Sequence, residues 1–158
     1  MKTKHIIALK GPINVGKSTT IRKVFALLKE AYPTAQIQII NPIGIEITVS
    51  IDVDITVIIE INGTSIGIES RGDAPPYHDR LIESIERFKK AKCSIIICAT
   101  RTSGISVTTV ENFQREQPEF TLVWYHNKAE PQVNLREQRD DAMAQTIFKQ
   151  IQNALNTP

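Results

Sequence analysis

The octapeptide Gly11-Pro12-Ile13-Asn14-Val15-Gly16-Lys17-Ser18 matches the pattern G-x-x-x-x-G-K-[ST] at every fixed position. It follows a short apolar run, His5 to Leu9, that is typical of a buried strand. It opens a segment in which apolar residues recur at helical spacing until Tyr32-Pro33. Glycine lets a backbone wrap closely around an anion, and the amides at a helix N-terminus carry partial positive charge. The octapeptide therefore predicts a phosphate-binding loop between a strand and a helix.

Two side chains of this loop have chemistry beyond that of the backbone. Lys17 adds a full positive charge that suits the β- and γ-phosphates of a nucleotide, where it stabilises charge during phosphoryl transfer. Ser18 offers a hydroxyl oxygen to Mg²⁺. We expect nucleotide binding by the residues of the loop and the helix start, which are Gly11, Pro12, Ile13, Asn14, Val15, Gly16, Lys17, Ser18 and Thr19.

Phosphoryl transfer also needs a second carboxylate at the carboxyl end of a neighbouring strand. Glu69 and Asp73 are the best candidates, because they follow a β-rich segment and open a loop. We predict Glu69 as a metal-side residue and Asp73 as a catalytic residue that orients water or another nucleophile. Asp52 and Asp54 alternate with apolar residues, which indicates the solvated side of a half-buried strand and not a metal pair.

The remaining chain alternates strand and helix patterns. Two strand patterns flank Asn62-Gly63, the dipeptide typical of a type I′ hairpin turn. The other predicted elements are strands at 36–40, 94–99 and 120–125, a helix at 79–92, a helix capped by Ser106 or Thr108, and a helix that starts near Asn134. This order predicts an α/β fold of one domain, residues 1–158, with a mostly parallel sheet, one antiparallel hairpin strand and helices on both faces.

Composition narrows the class of protein. A net charge of +2 is too small to indicate a nucleic-acid partner, and no apolar run approaches the ~18 residues of a membrane span. Cys93 and Cys98 cannot form a disulfide framework. We therefore expect a cytoplasmic protein with no membrane partner.

By these features the chain resembles the P-loop NTPase superfamily, which implies a three-layer fold. Its layout is similar to that of the small GTPases, in which a hairpin leads to a D-x-x-G loop and a later strand ends in N-K-x-D. The corresponding segments are Glu69-Ser70-Arg71-Gly72 and Asn127-Lys128-Ala129-Glu130, each with Glu in place of Asp. The resemblance implies that Asn127 and Lys128 bind nucleotide. Asp73 falls where that family has a glutamine that orients water.

The chain is also similar to small-molecule and nucleotide kinases, which close an arginine-bearing lid over the transferred phosphate. Candidate arginines are Arg136, Arg139, Arg71, Arg80 and Arg101. We predict an Mg²⁺-dependent protein that binds ATP, with GTP as the alternative nucleotide, and acts as an NTP hydrolase or phosphotransferase at the γ-phosphate. The acceptor is water or a small molecule. The alternative is a nucleotide-gated, GTPase-like switch with little turnover and a protein partner.

Overall fold

Strands and helices alternate in the computed structural model, which describes residues 3–12, 16–41, 53–72, 80–128 and 130–156. The elements are β1 (Lys4–Lys10), α1 (Lys17–Ala31), β2 (Gln36–Asn41), β3 (Thr56–Ile61), β4 (Thr64–Glu69), α2 (Arg80–Lys90), β5 (Ile95–Thr100), α3 (Ile105–Glu116), β6 (Phe120–His126) and α4 (Val133–Asn156). Each predicted element is present in the described residues, with its bounds shifted by a few residues at most.

The described strands form one sheet in the order β2-β3-β4-β5-β1-β6. β1 runs parallel to β5 and β6, so that Ala8 lies opposite both Cys98 and Trp124. β4 is also parallel to β5, whereas β3 is antiparallel to both of its neighbours. Only β3 therefore runs against the other strands of this sheet, which confirms the prediction of a mostly parallel sheet with one antiparallel hairpin strand.

Helices cover both faces of the sheet because successive side chains of each strand point to opposite sides. Ile7 and Leu9 of β1 pack in one core with α1 and α4. Ile6 and Ala8 pack in a second core with α2 and α3. The two cores and the sheet between them confirm the predicted three-layer α/β arrangement.

The hairpin turn between β3 and β4 has the backbone that its sequence predicts. Asn62 has φ 51° and Gly63 has φ 81°, both in the left-handed region that a type I′ turn requires. The paired register runs from Ile61 opposite Thr64 to Thr56 opposite Glu69. The hairpin therefore carries Glu69 to the edge of the sheet where β1 and β5 also end.

The predicted caps of α3 are wrong. α3 begins at Ile105, after Gly104 at φ 97°, so Ser106 and Thr108 lie inside its first turn. The Ser106 hydroxyl accepts a hydrogen bond from the Arg101 backbone N–H at 2.9 Å. Ser106 thus fixes the loop that leaves β5, and glycine provides the backbone angle at the helix start. α4 begins at Val133, which agrees with the predicted start near Asn134.

No described helix combines the length and the apolar character that crossing a bilayer requires.

Candidate functional site at the carboxyl ends of the parallel strands

The connection from β1 to α1 ends in a left-handed glycine. Gly16 has φ 89° and ψ 12°, a conformation that side-chain-bearing residues adopt only with strain. Its carbonyl accepts the Thr20 backbone N–H at 2.9 Å and the Thr20 hydroxyl at 2.7 Å. The second glycine of the octapeptide therefore turns the chain directly into the first turn of α1. Residues 13–15, the predicted binding residues Ile13, Asn14 and Val15, lie outside the described residues.

The Lys17 ammonium spans the ends of two parallel strands. It donates to the carbonyl of Gly11 at 2.5 Å and to the carbonyl of Thr100 at 2.6 Å. The Thr100 carbonyl also accepts the Gly11 backbone N–H at 3.3 Å. The lysine thus lies at the start of α1, over the point where β1 and β5 end, which is where ligands bind in open α/β sheets.

A second cation lies close to Lys17. Arg101 directly follows β5. Burial of the Lys17 ammonium and, to a smaller extent, the positive charge of Arg101 lower the pKa of Lys17 to about 8. Two like charges beside a helix N-terminus form an environment that favours an anion. Of the arginines proposed from the sequence, the structure therefore brings Arg101 to the predicted loop.

Hydrogen bonds connect the start of α1 to the far end of the hairpin. The Ser18 hydroxyl donates to the Ser70 carbonyl at 2.7 Å, and the Ser70 hydroxyl donates to Asp54 Oδ1 at 3.0 Å. Asp54 Oδ1 also accepts Arg22 Nη1 at 2.7 Å. Because Arg22 lies one helical turn after Ser18, these contacts close a ring on α1, which we call the Ser18–Asp54 ring.

Asp54 corrects one expectation from the sequence. It lies just ahead of β3 and not within a strand, and its carboxylate pairs with Arg22 instead of facing only solvent. The alternating pattern was misleading because the chain leaves strand geometry before Thr56. The sequence gives no local sign of this ion pair, because Arg22 and Asp54 are 32 positions apart. Asp52 lies outside the described residues.

Glu69 is fully buried, and its carboxylate oxygens accept several hydrogen bonds. Oε1 accepts the hydroxyls of Thr56 at 2.8 Å and Ser84 at 2.6 Å and the Arg71 guanidinium at 2.9 Å. Oε2 accepts the Arg71 backbone N–H at 2.9 Å. These contacts join β3, β4, α2 and the loop after β4. The metal role of Glu69 stays a prediction, and Asp73 lies outside the described residues.

The strand that carries Glu69 is not the neighbour of β1. β5 lies between β4 and β1. With about 4.8 Å between adjacent strands, β4 and β1 are roughly 10 Å apart. The sequence predicted that the second carboxylate follows a strand next to the one that leads into the octapeptide. For Glu69 this is wrong, because β5 separates β4 from β1.

A buried amide lies on the other side of β1. The Asn127 backbone N–H donates to the Lys10 carbonyl at 2.8 Å, which places this residue beside the end of β1. The residue is 2% exposed, and neither the nitrogen nor the oxygen of its side-chain amide has a hydrogen-bond partner in the described part of the chain. Such a group is costly unless a ligand or water satisfies it. The structure thus brings Asn127, but not the exposed side chain of Lys128, into the interior next to the predicted loop.

The family-model comparison finds no match to this chain, and neither a curated protein nor a solved structure matches it. Residues 3–12, 16–41, 53–72, 80–128 and 130–156 contain no group of three or more His, Cys, Asp and Glu side chains that could hold a metal ion.

Asp140 is a site-adjacent residue that sequence reasoning missed. It is buried on α4 against Gly16, so closely that a Cβ at Gly16 would lie 2.5 Å from Asp140 Oδ2. Burial raises the pKa of its carboxyl group, and Arg139, Lys23 and a hydrogen bond from Thr20 oppose that rise. The helical spacing of α4 gives no indication of this contact, because it depends on how α4 packs against α1.

The lid arginines proposed from the sequence are held by local contacts. Arg139 Nε and Nη2 donate to Asp140 Oδ1 at 3.3 and 3.2 Å, and Arg139 also donates to the Lys128 carbonyl. Arg136 Nε donates to the Glu130 carbonyl at 2.9 Å. Hydrogen bonds from both arginines therefore connect the first turns of α4 to the loop after β6.

Proposed function

We propose that this protein binds a nucleoside triphosphate with Mg²⁺ and hydrolyses or transfers the γ-phosphate, as members of the P-loop NTPase superfamily do. The observation that carries the proposal is the position of Lys17. Its ammonium lies at the N-terminus of α1, directly over the ends of β1 and β5. The octapeptide motif, the strand before it and the helix after it support the same assignment.

The electrostatics of the site support a polyanionic ligand. Lys17 and Arg101 are close enough for their charges to repel, and the N-terminus of α1 adds partial positive charge. A triphosphate would relieve that repulsion. On binding, Lys17 would exchange two neutral carbonyl acceptors for anionic phosphate oxygens, which adds attraction between opposite charges to its hydrogen bonds.

The residues at the start of α1 fit a magnesium ion. The Ser18 hydroxyl uses its hydrogen to contact the Ser70 carbonyl, which leaves the lone pairs of its oxygen available to a hard cation. Ser18 is thus the residue that would hold Mg²⁺. When bound, the ion would supply positive charge to the β- and γ-phosphate oxygens.

The contribution of the protein to the reaction is positional and electrostatic. Lys17 stabilises charge on the transferred phosphoryl group, and Ser18 fixes the metal side of the site. Asn127 offers an unsatisfied donor and acceptor on the β6 side of the loop, where the base or sugar of a nucleotide would satisfy them. ATP is the default nucleotide, and GTP is the close alternative.

A nucleotide-gated switch is the second candidate, and the Ser18–Ser70 hydrogen bond favours it. This bond joins the metal-side hydroxyl of the site to the backbone of the loop after β4. Any rearrangement of Ser18 on nucleotide binding would therefore reach that loop directly. In this version turnover is negligible, and the loop would present a surface to a protein partner.

Calorimetric titration with ATP and GTP in the presence of Mg²⁺, followed by a phosphate-release assay, tests the proposal. We expect the wild-type protein to bind at least one triphosphate and Lys17→Ala to weaken that binding by roughly 10- to 100-fold, the effect of a lost charged hydrogen bond. Lys29→Ala, at the other end of α1, is the matched control and should bind like wild type.

Equal affinity of Lys17→Ala and wild type would refute the assignment of the site. Phosphate release that accompanies binding supports the hydrolase. Binding without release, joined by nucleotide-dependent protection of residues 70–72 from hydrogen exchange, supports the switch.

A further inference from the structure

We infer that Asp54 is the carboxylate that completes the metal side of this site, where it holds the water shell of the nucleotide-bound Mg²⁺. The inference rests on the proposed function and assigns a positioning residue that the octapeptide motif does not contain. It follows from the Ser18–Asp54 ring and from the competing contacts of Glu69.

Asp54 is connected to the proposed metal ligand through one intervening residue. Ser18 contacts the Ser70 carbonyl, and the hydroxyl of the same Ser70 contacts Asp54 Oδ1. The Ser70 hydroxyl also accepts the Ile55 backbone N–H at 2.8 Å, and the Ser70 backbone N–H donates to the Ile55 carbonyl at 2.9 Å. Ser70 is therefore fixed by both backbone and side chain, so that Asp54 has a defined position relative to Ser18.

Arg22 holds the Asp54 carboxylate over the first turns of α1. The ion pair between Arg22 Nη1 and Asp54 Oδ1 is 2.7 Å long, and the guanidinium is mostly buried. Arg22 follows Ser18 by four residues, so both side chains leave α1 on the same face. The ion pair thus anchors Asp54 on the side of α1 that also presents the Ser18 hydroxyl.

One carboxylate oxygen of Asp54, Oδ2, is available to contact a metal-bound water. Both contacts of its carboxylate fall on Oδ1, and Oδ2 has no hydrogen bond within the described ranges. The side chain is 42% exposed, so water can reach it. Mg²⁺ usually keeps several of its waters and is bound through one or two carboxylates together with substrate phosphates. A half-exposed carboxylate with one free oxygen suits contact with such a water.

Glu69 lacks these properties. It is fully buried, and its carboxylate already accepts two hydroxyls, a backbone N–H and a guanidinium. Recruitment to a metal would leave Thr56, Ser84 and Arg71 without their acceptor inside the protein, which is unfavourable. The geometry thus favours Glu69 as a structural link between elements and Asp54 as the metal-side carboxylate.

The test measures how much Mg²⁺ improves triphosphate binding. Dissociation constants for ATP and GTP are determined by calorimetry with excess Mg²⁺ and again with EDTA, for wild type, Asp54→Asn and Asp54→Ser. Asp141→Asn is the matched control, because Asp141 also pairs with a basic residue of α1, Lys23. Affinity in EDTA serves as the measure of an intact phosphate site.

The gain from Mg²⁺ is the ratio of the affinity with Mg²⁺ to the affinity in EDTA. We expect this gain to be roughly tenfold or more smaller in both Asp54 variants than in wild type, while their affinity in EDTA stays within about twofold of wild type. Asp141→Asn should keep the full gain. An undiminished gain in the Asp54 variants overturns the inference and leaves the proposed function intact. A Glu69→Gln variant that folds normally and alone loses the gain also overturns it. Failure of the wild-type protein to bind any triphosphate overturns both.

Discussion

At the scale of single residues, the site depends on a lysine that is held in an unfavourable environment. Lys17 is partly buried, lies near Arg101 and, within the described ranges, donates hydrogen bonds to two carbonyl groups. Both burial and the neighbouring guanidinium disfavour its ammonium form. An anion bound beside Lys17 would favour the ammonium form and raise the pKa of the lysine toward its ordinary value.

This arrangement predicts a pH dependence of triphosphate binding. The pKa of Lys17 is about 8 in the free protein, below its ordinary value of 10.5, and a triphosphate bound there would raise it. Below pH 8 the ammonium is already present, so affinity is nearly constant. Above pH 8 binding must take up a proton, so affinity falls by up to about tenfold per pH unit. Titrations between pH 7.5 and 9.5, where the terminal phosphate is already ionised, measure this fall.

Linkage gives the opposite sign for the stability of the ligand-free protein. Because the pKa of Lys17 is lower in the folded state, the unfolded chain binds more protons between pH 8 and 10.5. The contribution of Lys17 to stability therefore rises through that window while triphosphate affinity falls.

The control for the binding titration is Lys17→Arg. This variant stays charged at pH 9.5, so its affinity for triphosphate, whatever its size, should not change with pH across the titration. A flat profile for wild type would contradict the prediction.

At the scale of elements, α2 is positioned by a glycine in β4. A Cβ at Gly67 would lie 2.4 Å from Cγ of Phe88, a fully buried ring of α2. Glycine thus lets the helix approach the strand closely. The same helix contributes Ser84 to the carboxylate of Glu69, so this packing also sets the end of β4.

We expect Gly67→Ala to lower the free energy of unfolding by about 1–3 kcal/mol, the usual cost of overpacking a core. Gly72→Ala is the matched control, because a Cβ there would meet nothing within 4 Å and its φ is not positive. Urea unfolding of the two variants measures the difference. Equal stability of both variants would show that α2 can shift to admit the methyl group.

The strands and helices could be predicted from the sequence, because each is specified by residues close to one another in the chain. The apolar run before Lys10, the helical spacing after Lys17 and the Asn62-Gly63 turn all specify structure within a few residues. The order of strands in the sheet is not local. The placement of β5 between β4 and β1 depends on which strand pairs with which, and side-chain periodicity holds no information on that choice.

The same distinction holds for the candidate site. The octapeptide predicted Lys17 and Ser18 correctly as neighbours of a strand end and a helix start. Asp54 and Asp140 could not be placed in the same way, because they reach the site through the packing of separate elements on α1. An alternating pattern around residue 54 indicated solvent, whereas an ion pair with Arg22 determines where its carboxylate lies.

At the scale of the whole molecule, the proposed ligand would contact the ends of three adjacent strands, β5, β1 and β6. These strands form the centre and one edge of the sheet, and their residues contribute to both cores. A ligand at this position binds only the folded chain. It should therefore stabilise the protein as a whole and not a single loop.

We predict that Mg²⁺ and triphosphate at 100 times the dissociation constant raise the melting temperature by about 5–10 °C, since that excess corresponds to about 2.7 kcal/mol. Thermal unfolding monitored by circular dichroism measures the shift. Lys17→Ala at the same ligand concentration should shift much less. A similar shift in that variant would indicate stabilisation by a different site.

The contact of Asp140 with Gly16 joins nearly opposite ends of the described chain. α4 is the last described element to be synthesised, yet its buried carboxylate rests on the turn that leads into the first helix. A nascent chain still attached to the ribosome would therefore carry the octapeptide long before α4 emerges to support it. Under the proposed function, competence to bind nucleotide would therefore be acquired only once α4 has packed against α1.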